Sequence, residues 1–161
     1  MVASVLQALG LYMGEKLGPV LEDLTLSQAV ESRDMAGVSE IVARRNAAYP
    51  LWGWKRPSAL EYSDVWKDGF RNPYIIAVFR DPFAIANRNR ISMLSDVFQN
   101  MDRTVQQQCT LVQFLREQKK PILLCSYEKA LAAPETFVQA VVGFLDLNAS
   151  ESWNEAIRRI N

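Results

Sequence analysis

Two short, continuous apolar runs constrain the fold of this chain more than any other sequence feature. They are residues 74–79 (YIIAVF) and 121–126 (PILLCS). Runs rich in Ile, Val and Leu suit strands that are buried on both faces of a parallel sheet. Asp81 and Pro82 follow the first run, which is typical of a helix N-cap and first helical position. Because strands alternate with helical segments, we predict an α/β fold with a layered, mainly parallel sheet flanked by helices.

Apolar spacing places several helices before the first run. Val2, Val5, Leu6 and Leu9 lie at i, i+3, i+4 and i+7, and Gly10 is placed to end that helix. Residues 25–48 read as one or two helices that break between residues 32 and 37, with Asp34 as an N-cap. Residues 51–55 form a Trp-rich, strand-like run. Residues 58–61 (SALE) match a capping box, which predicts a helix reaching about Gly69.

The second half of the chain offers three further helix starts. Asp102 is a candidate cap for a helix that reaches Lys120, and Pro134 opens a helix that continues through Phe144. Ser150 is a candidate cap for a short last helix. Since 161 residues lie within the usual size of one domain, residues 1–161 are predicted to form a single domain.

Composition excludes several classes of function. Hydrophobic residues make up 49% of the chain, which is enough for a core. Lys and Arg number 18, as do Asp and Glu, so general attraction to nucleic acid or an anionic membrane is disfavoured. There is no histidine, which excludes a histidine base and a Ser-His-Asp triad. No run approaches the roughly 18 apolar residues of a membrane span.

The two cysteines point to structure rather than chemistry. Cys109 and Cys125 are far apart in sequence and lack Cys-x-x-Cys spacing. They offer too few ligands for a zinc site, and no other metal site is visible. We therefore expect both to be buried as small hydrophobic residues in a reducing cytoplasm, and we expect no metal.

Charged residues gather at the ends of the predicted strands, where parallel α/β sheets bind their ligands. Lys55 and Arg56 follow one strand and Arg80 follows the next. An Arg beside a helix N-terminus makes an anion site, and its forked guanidinium suits phosphate. An ion pair of Arg80 with Asp81 or Glu128 is an equally open alternative.

These segments resemble the P-loop sulfotransferases. Residues 74–92 (YIIAVFRDPFAIANRNRIS) are similar to the family's strand that ends in Arg-Asp-Pro or Arg-Asn-Pro and leads into a helix. Residues 52–57 (WGWKRP) resemble its second strand, and residues 123–147 resemble a strand with a Tyr-Glu-Asp-Leu-like turn and a helix. Residues 6–15 are similar to the helix after the P-loop. The resemblance covers nearly the whole chain in the right order and implies a P-loop NTPase-like sulfotransferase fold.

The resemblance also implies a co-substrate, 3′-phosphoadenosine 5′-phosphosulfate (PAPS), which becomes PAP after transfer. In this family an Arg and a Ser hold the 3′-phosphate, which assigns that role to Arg80. The Ser position falls on Arg88 here, and we expect Arg88 to replace it, with Asn87 or Ser92 contributing. Arg88 equally fits a site that has drifted from this function.

The family's first strand and 5′-phosphosulfate loop would precede residue 1. None of the seven glycines begins a Gly-x-x-x-x-Gly-Lys pattern, so the loop has not moved elsewhere in the chain. The resemblance therefore indicates an N-terminally truncated sulfotransferase domain. The alternative is that another chain fills the gap.

If the resemblance holds, the protein transfers a sulfuryl group to a hydroxyl or amine of a small-molecule or carbohydrate acceptor. Lys55 is then the candidate to neutralise charge on the leaving group, with a surface Lys beside two Trp residues as the alternative. The base must be a carboxylate, and Glu15 and Glu22 are the candidates. Tyr49, Trp52 and Trp54 are aromatic residues suited to stacking on a ligand, although core packing is the stronger expectation.

Two other functions remain open. A sulfotransferase-fold domain that has lost its donor site would serve protein–protein association and predicts a homodimer. A nucleotide kinase is disfavoured, since the chain lacks a Walker-type Gly-Lys and an Arg-rich lid.

Overall fold

The computed structural model describes residues 1–15, 17–18, 20–93 and 96–160, without the side chains of Ser92 and Met93. Within these ranges the protein is α/β and mostly helical, with a small two-stranded parallel sheet. The strands are β1 (Ile75–Phe79) and β2 (Ile122–Ser126). The helices are α1 (Val2–Ala8), α2 (Leu24–Glu31), α3 (Met35–Ala48), α4 (Ser63–Trp66), α5 (Pro82–Met93), α6 (Val97–Glu117), α7 (Tyr127–Ala132), α8 (Pro134–Leu145) and α9 (Trp153–Arg158). A short 3₁₀ helix, Ala59–Tyr62, precedes α4.

The two apolar runs form the strands that their sequence predicts. β1 and β2 pair in parallel, from Ile75 opposite Ile122 to Phe79 opposite Ser126. Burial on both faces, however, is only partly right. Cys125 is buried, whereas Leu124 is 64% exposed on the other face of β2.

The prediction of a third strand at residues 51–55 is wrong. Only Trp52 makes a bridge there, in parallel with Tyr12, and the Gly53 N–H donates to the Tyr12 carbonyl at 2.9 Å. The backbone passes so close to Met13 that a Cβ on Gly53 would lie 2.7 Å from the Met13 sulfur. Trp52 and Trp54 pack against the hydrophobic core, so tertiary packing of the indoles, not a strand ladder, fixes this run.

Three predicted helix ends are confirmed. Asp34 Oδ1 accepts from the Gly37 N–H at 2.9 Å and caps α3. Asp81 Oδ1 accepts from the Phe83 N–H at 2.7 Å and from the Ala84 N–H at 3.1 Å, and so caps α5. Gly10 follows α1 with a φ of +89°, which glycine adopts without a Cβ clash.

Three predicted caps are wrong. Ser58 makes no capping bond, because its hydroxyl bonds to Glu31 instead, and a 3₁₀ helix with the short α4 replaces the expected single helix. Asp102 lies inside α6, which begins earlier because Asp96 accepts from the Gln99 N–H at 2.8 Å. Ser150 bonds to Asn148, and α9 begins at Trp153.

The structure divides the chain into two compact units. Unit 1 comprises Met1–Pro73 and Val138–Asn161, and unit 2 comprises Tyr74–Phe137. Unit 1 has a cluster of buried aliphatic residues between its helices, surrounded by aromatic side chains: Leu26, Val30, Val38, Val42 and Val65. In unit 2, α5 packs against α6 and β1 pairs with β2. The single domain over residues 1–161 stays a prediction.

The cysteine prediction holds for one residue. Cys125 is buried in β2, and burial raises the pKa of its thiol. Cys109 is exposed because it lies on the outer side of α6, so its predicted burial is wrong. Among the helices of the described residues, none combines the length and apolar character that crossing a membrane requires.

Candidate functional site

Arg80 lies at the carboxyl end of β1, in the turn that leads into α5. The parallel register places Phe79 beside Ser126, so the residues that follow the two strands are neighbours. Accordingly, the Arg80 guanidinium lies over the ring of Tyr127, 4.4 Å from its centroid. Such a cation–π contact orients the guanidinium without neutralising it. Gln108 of α6 also donates to the Arg80 carbonyl at 2.5 Å, which holds the backbone of this turn.

The charge of Arg80 has no carboxylate partner among the described residues. Its Nε is buried and lacks a hydrogen-bond partner there. The carboxylates expected to pair with it are used elsewhere, since Asp81 caps α5 and Glu128 Oε1 accepts from the Asp81 N–H at 2.9 Å. This bond to Asp81 lowers the pKa of Glu128. A buried donor left unpaired at a strand end is a group that an anionic ligand can satisfy.

The other residues assigned to the 3′-phosphate lie along α5. Arg88 is exposed, and its guanidinium makes a weak contact of 3.5 Å with Asn89 Oδ1. Asn87 is half-buried on the same helix. The side chain of Ser92 lies outside the described residues. The structure therefore places Arg80 in a defined setting and leaves Arg88 as a solvent-exposed cation.

Lys55 and Glu22 are brought together in unit 1. Lys55 Nζ lies 2.8 Å from Glu22 Oε1 and 3.4 Å from the Val20 carbonyl. Arg56 Nη1 reaches the other carboxylate oxygen of Glu22 at 2.5 Å, and Arg56 Nε donates to Glu31 at 2.7 Å. We call these four residues, Lys55, Arg56, Glu22 and Glu31, the Lys55 network.

The network fixes the charge state of Glu22. The hydrogen bond from Lys55, together with Arg56, lowers the pKa of this carboxyl against the opposing effect of burial. A general base works best with a pKa near the operating pH, so Glu22 is a weak proton acceptor and serves as the counter-ion of Lys55.

Glu15, the other candidate base, lies apart from this network. Glu15 Oε1 lies 2.6 Å from Arg44 Nη2, and both side chains are about half exposed. A single exposed ion pair holds a carboxylate loosely. Glu15 therefore lies in a more open setting than Glu22, which contacts both Lys55 and Arg56.

Sequence reasoning missed a buried ion pair in unit 1. Arg45 Nη2 lies 2.5 Å from Asp23 Oδ2, and the two side chains are 1% and 0% exposed. The Arg45 guanidinium also lies over the rings of Tyr12 and Trp52, at 5.6 and 5.2 Å. The sequence contained an indication that Arg45 is buried. Val38, Val42 and Arg45 are spaced i, i+4 and i+7, so they share the apolar side of α3.

Three aromatic residues that precede Lys55 in the sequence contact other aromatic side chains of the protein, in line with the expectation that they pack rather than stack on a ligand. Tyr49 stacks on Tyr12 with 4.1 Å between ring centroids. Trp52 meets Phe70 edge to face at 5.6 Å, and Trp54 meets Trp66 at 6.0 Å. Trp52 and Trp54 thus stabilise unit 1 by packing against its core, while Tyr49 is 36% exposed outside its stack on Tyr12.

Within the part of the chain that the structure describes, no group of three or more Cys, Asp or Glu side chains could hold a metal ion. No protein-family model, curated protein or solved structure matches this chain.

Proposed function

We propose that this protein is a sulfotransferase-like protein that transfers a sulfuryl group from PAPS to a hydroxyl or amine acceptor. The observation that carries the proposal is Arg80, a cation with a buried, unpaired Nε at the carboxyl end of a parallel strand. This is where α/β proteins bind anionic ligands, and guanidinium groups pair well with phosphate. The residues present thus fit the 3′-phosphate of PAPS.

The fold belongs to the same proposal. Two parallel strands, each followed directly by a helix, agree with part of a P-loop-type layered sheet. Asp81 caps the helix after Arg80, as the Arg-Asp-Pro resemblance implies. The P-loop sulfotransferase fold of this chain is our interpretation of these features together with the sequence resemblance.

Sulfuryl transfer depends mainly on positioning and on neutralising charge. PAPS supplies the sulfuryl group, and the acceptor hydroxyl or amine attacks it. In our proposal Arg80 binds the 3′-phosphate and Lys55 neutralises charge on the leaving group. Glu22 orients Lys55 through their 2.8 Å contact. Glu15 takes the proton from the acceptor, and the acceptor is a small molecule or a carbohydrate.

The experiment is a calorimetric titration with two nucleotides. PAP and adenosine 5′-monophosphate differ by the 3′-phosphate, so we expect PAP to bind more tightly. Charge-assisted hydrogen bonds contribute about 1.5–3 kcal/mol, so Arg80→Ala should weaken PAP binding by about ten- to a hundredfold. The same change should leave adenosine 5′-monophosphate binding unaltered.

Arg103→Ala is the matched control, since Arg103 is an exposed arginine of α6 in the same unit. It should bind both nucleotides as the unchanged protein does. Equal affinity for the two nucleotides, or unchanged PAP affinity in Arg80→Ala, would contradict the proposal.

One observation favours a second function, protein–protein association by a domain without a working donor site. Phe98 and Val105 lie seven residues apart on α6 and are 73% and 47% exposed. Exposed apolar side chains in a row mark interaction surfaces. This function predicts a homodimer at micromolar concentration that Phe98→Ser disrupts, and light scattering that shows a monomer would contradict it.

A further inference from the structure

An apolar groove lies between α6 and one face of the sheet in unit 2. Its lining consists of apolar residues from both sides and one arginine: Phe79, Val112, Leu115, Arg116, Ile122 and Leu124. Its volume is about 310 Å³. We call it the α6–sheet groove. None of these residues takes part in the Arg80 site or the Lys55 network.

The strand register explains the shape of this groove. Ile122 and Leu124 are two residues apart in β2, so their side chains share a face, and Leu124 pairs with Ala77, two residues before Phe79. The groove therefore follows the strands for about four residues, or roughly 13 Å at 3.3 Å per residue. Leu115 of α6 forms the buried floor, while Leu124 is 64% exposed at the rim.

Arg116 is the polar group of the groove. It stands in the last turn of α6, and residues 118–121 connect that helix to β2. Arg116 is exposed and has neither an ion-pair nor a hydrogen-bond partner among the described residues. The groove thus combines apolar walls with one unpaired positive charge.

The size of the groove points to a small ligand rather than a protein. Ligand pockets start at about 300 Å³ and combine apolar walls with few polar groups, whereas a protein interface uses about 20 residues or more on each side. Six of the described residues line the groove, all from α6 and the two strands. An open apolar trough that runs roughly 13 Å along the strands and has one arginine in its lining fits a chain-like apolar body that carries one negative charge.

We propose that the α6–sheet groove binds an amphipathic anion, an alkyl or acyl chain with a single carboxylate or sulfate head. The chain lies along Leu124 and Val112, and the head pairs with Arg116. This inference is independent of the sulfotransferase proposal, since it uses different residues and a different ligand.

The test is a titration followed by NMR spectra of backbone amides, with four probes that share a ten-carbon chain: decanoate, decyl sulfate, decanol and decyltrimethylammonium. All are kept below their micelle concentrations. We expect shifts confined to the carboxyl half of α6 and to both strands. The two anions should bind about threefold to tenfold more tightly than decanol, and the cation more weakly than decanol. Comparison of decanoate with decyl sulfate identifies which head group the site prefers.

Two variants and a control assign the binding to the groove. Arg116→Gln should bring the affinity for the anions down to that for decanol, and Leu124→Asn should weaken decanol and both anions alike. Arg103→Gln is the control, because nine residues separate Arg103 from Val112 and place it on the opposite side of α6. It should change nothing.

Three results would overturn the proposal. One is equal affinity for anions, decanol and the cation, and another is the absence of saturable shifts in α6 and the strands. The third is a dimer in light scattering whose amide signals show the groove already covered by a second copy. None of these results bears on nucleotide binding at Arg80.

Discussion

Arg45 in unit 1 and Arg80 in unit 2 both lie against aromatic rings, but they differ in whether a carboxylate pairs with the guanidinium. Arg45 lies over Tyr12 and Trp52 and faces the buried carboxylate of Asp23 at 2.5 Å. Arg80 lies over Tyr127 and faces no described carboxylate. Arg45 Nε, Nη1 and Nη2 are also buried without a hydrogen-bond partner among the described residues, so an unsatisfied nitrogen does not by itself distinguish the two arginines. They differ in charge pairing, since the fully buried Arg45 faces a carboxylate, whereas the half-buried Arg80 faces none of the described carboxylates. From this difference we infer that Arg45 is a structural arginine, and we propose that Arg80 is a binding one.

We expect the largest effect on stability when Asp23, the carboxylate partner of Arg45, is removed. Asp23→Ala leaves a buried, unpaired guanidinium and removes the cap of α2, where Asp23 accepts from the Thr25 N–H at 3.1 Å. We expect unfolding in urea to show a loss of about 3–5 kcal/mol. The double variant Asp23→Leu with Arg45→Met should recover most of that loss, because neither charge is left buried alone. A loss below about 1 kcal/mol in Asp23→Ala would contradict the structural role.

The next effect concerns the backbone that approaches Asp23. Gly14 has a φ of +132°, and a Cβ there would lie 2.5 Å from Asp23 Cγ. Gly14→Ala should therefore cost about 1–3 kcal/mol of unfolding free energy, from backbone strain and displacement of the ion pair. Gly143→Ala is the matched control in α8, where an added Cβ meets open space, and it should stabilise the protein by about 0.5–1 kcal/mol.

A third, smaller effect is the pH dependence of the Lys55 network. The native pKa of Glu22 is lowered, so its ion pairs contribute stability above the unfolded pKa of about 4.3, and that contribution is lost as pH falls through the native pKa. Glu22→Gln should lower the unfolding free energy at pH 7 by on the order of 1 kcal/mol. Between pH 5 and pH 3, the unfolding free energy of this variant should fall less than that of the unchanged protein. Identical acid profiles for the two proteins would show that the network does not hold Glu22 ionised.

The smallest expected effect on stability concerns Glu15. Its ion pair with Arg44 is about half exposed, so Glu15→Gln should change the unfolding free energy by less than about 1 kcal/mol. If Glu15 is the base, the same change should lower sulfuryl transfer by about a hundredfold or more in an acceptor screen. A stable variant with unchanged transfer would remove Glu15 from the proposed mechanism.

The sequence predicts the parts of the fold that depend on local pattern. Ile, Val and Leu runs give β1 and β2, and the Asp81–Pro82 pair gives the start of α5. It fails where tertiary contacts compete with local pattern. Trp52 packs into the core instead of extending a strand, and Ser58 bonds to Glu31 instead of capping a helix.

In the candidate site, too, the sequence predicts local features but not those that depend on tertiary contacts. The position of Arg80 after a strand is a local feature, and the sequence predicts it. The lack of an ion pair between Arg80 and either Asp81 or Glu128 is not a local feature. It depends on a contact between the two strand ends, in which Glu128 accepts a hydrogen bond from the Asp81 N–H. The pairing of Lys55 with Glu22 joins residues 33 positions apart, and no sequence spacing indicates it.

The comparison of Arg45 with Arg80 is tested most directly by the calorimetric titration of PAP and adenosine 5′-monophosphate. The account predicts that PAP binds more tightly, and that Arg80→Ala removes this preference with no loss of stability beyond about 1 kcal/mol. Two outcomes would contradict it. In one, the unchanged protein does not distinguish the two nucleotides; in the other, Arg80→Ala unfolds as Asp23→Ala is expected to, which would make Arg80 a structural arginine as well.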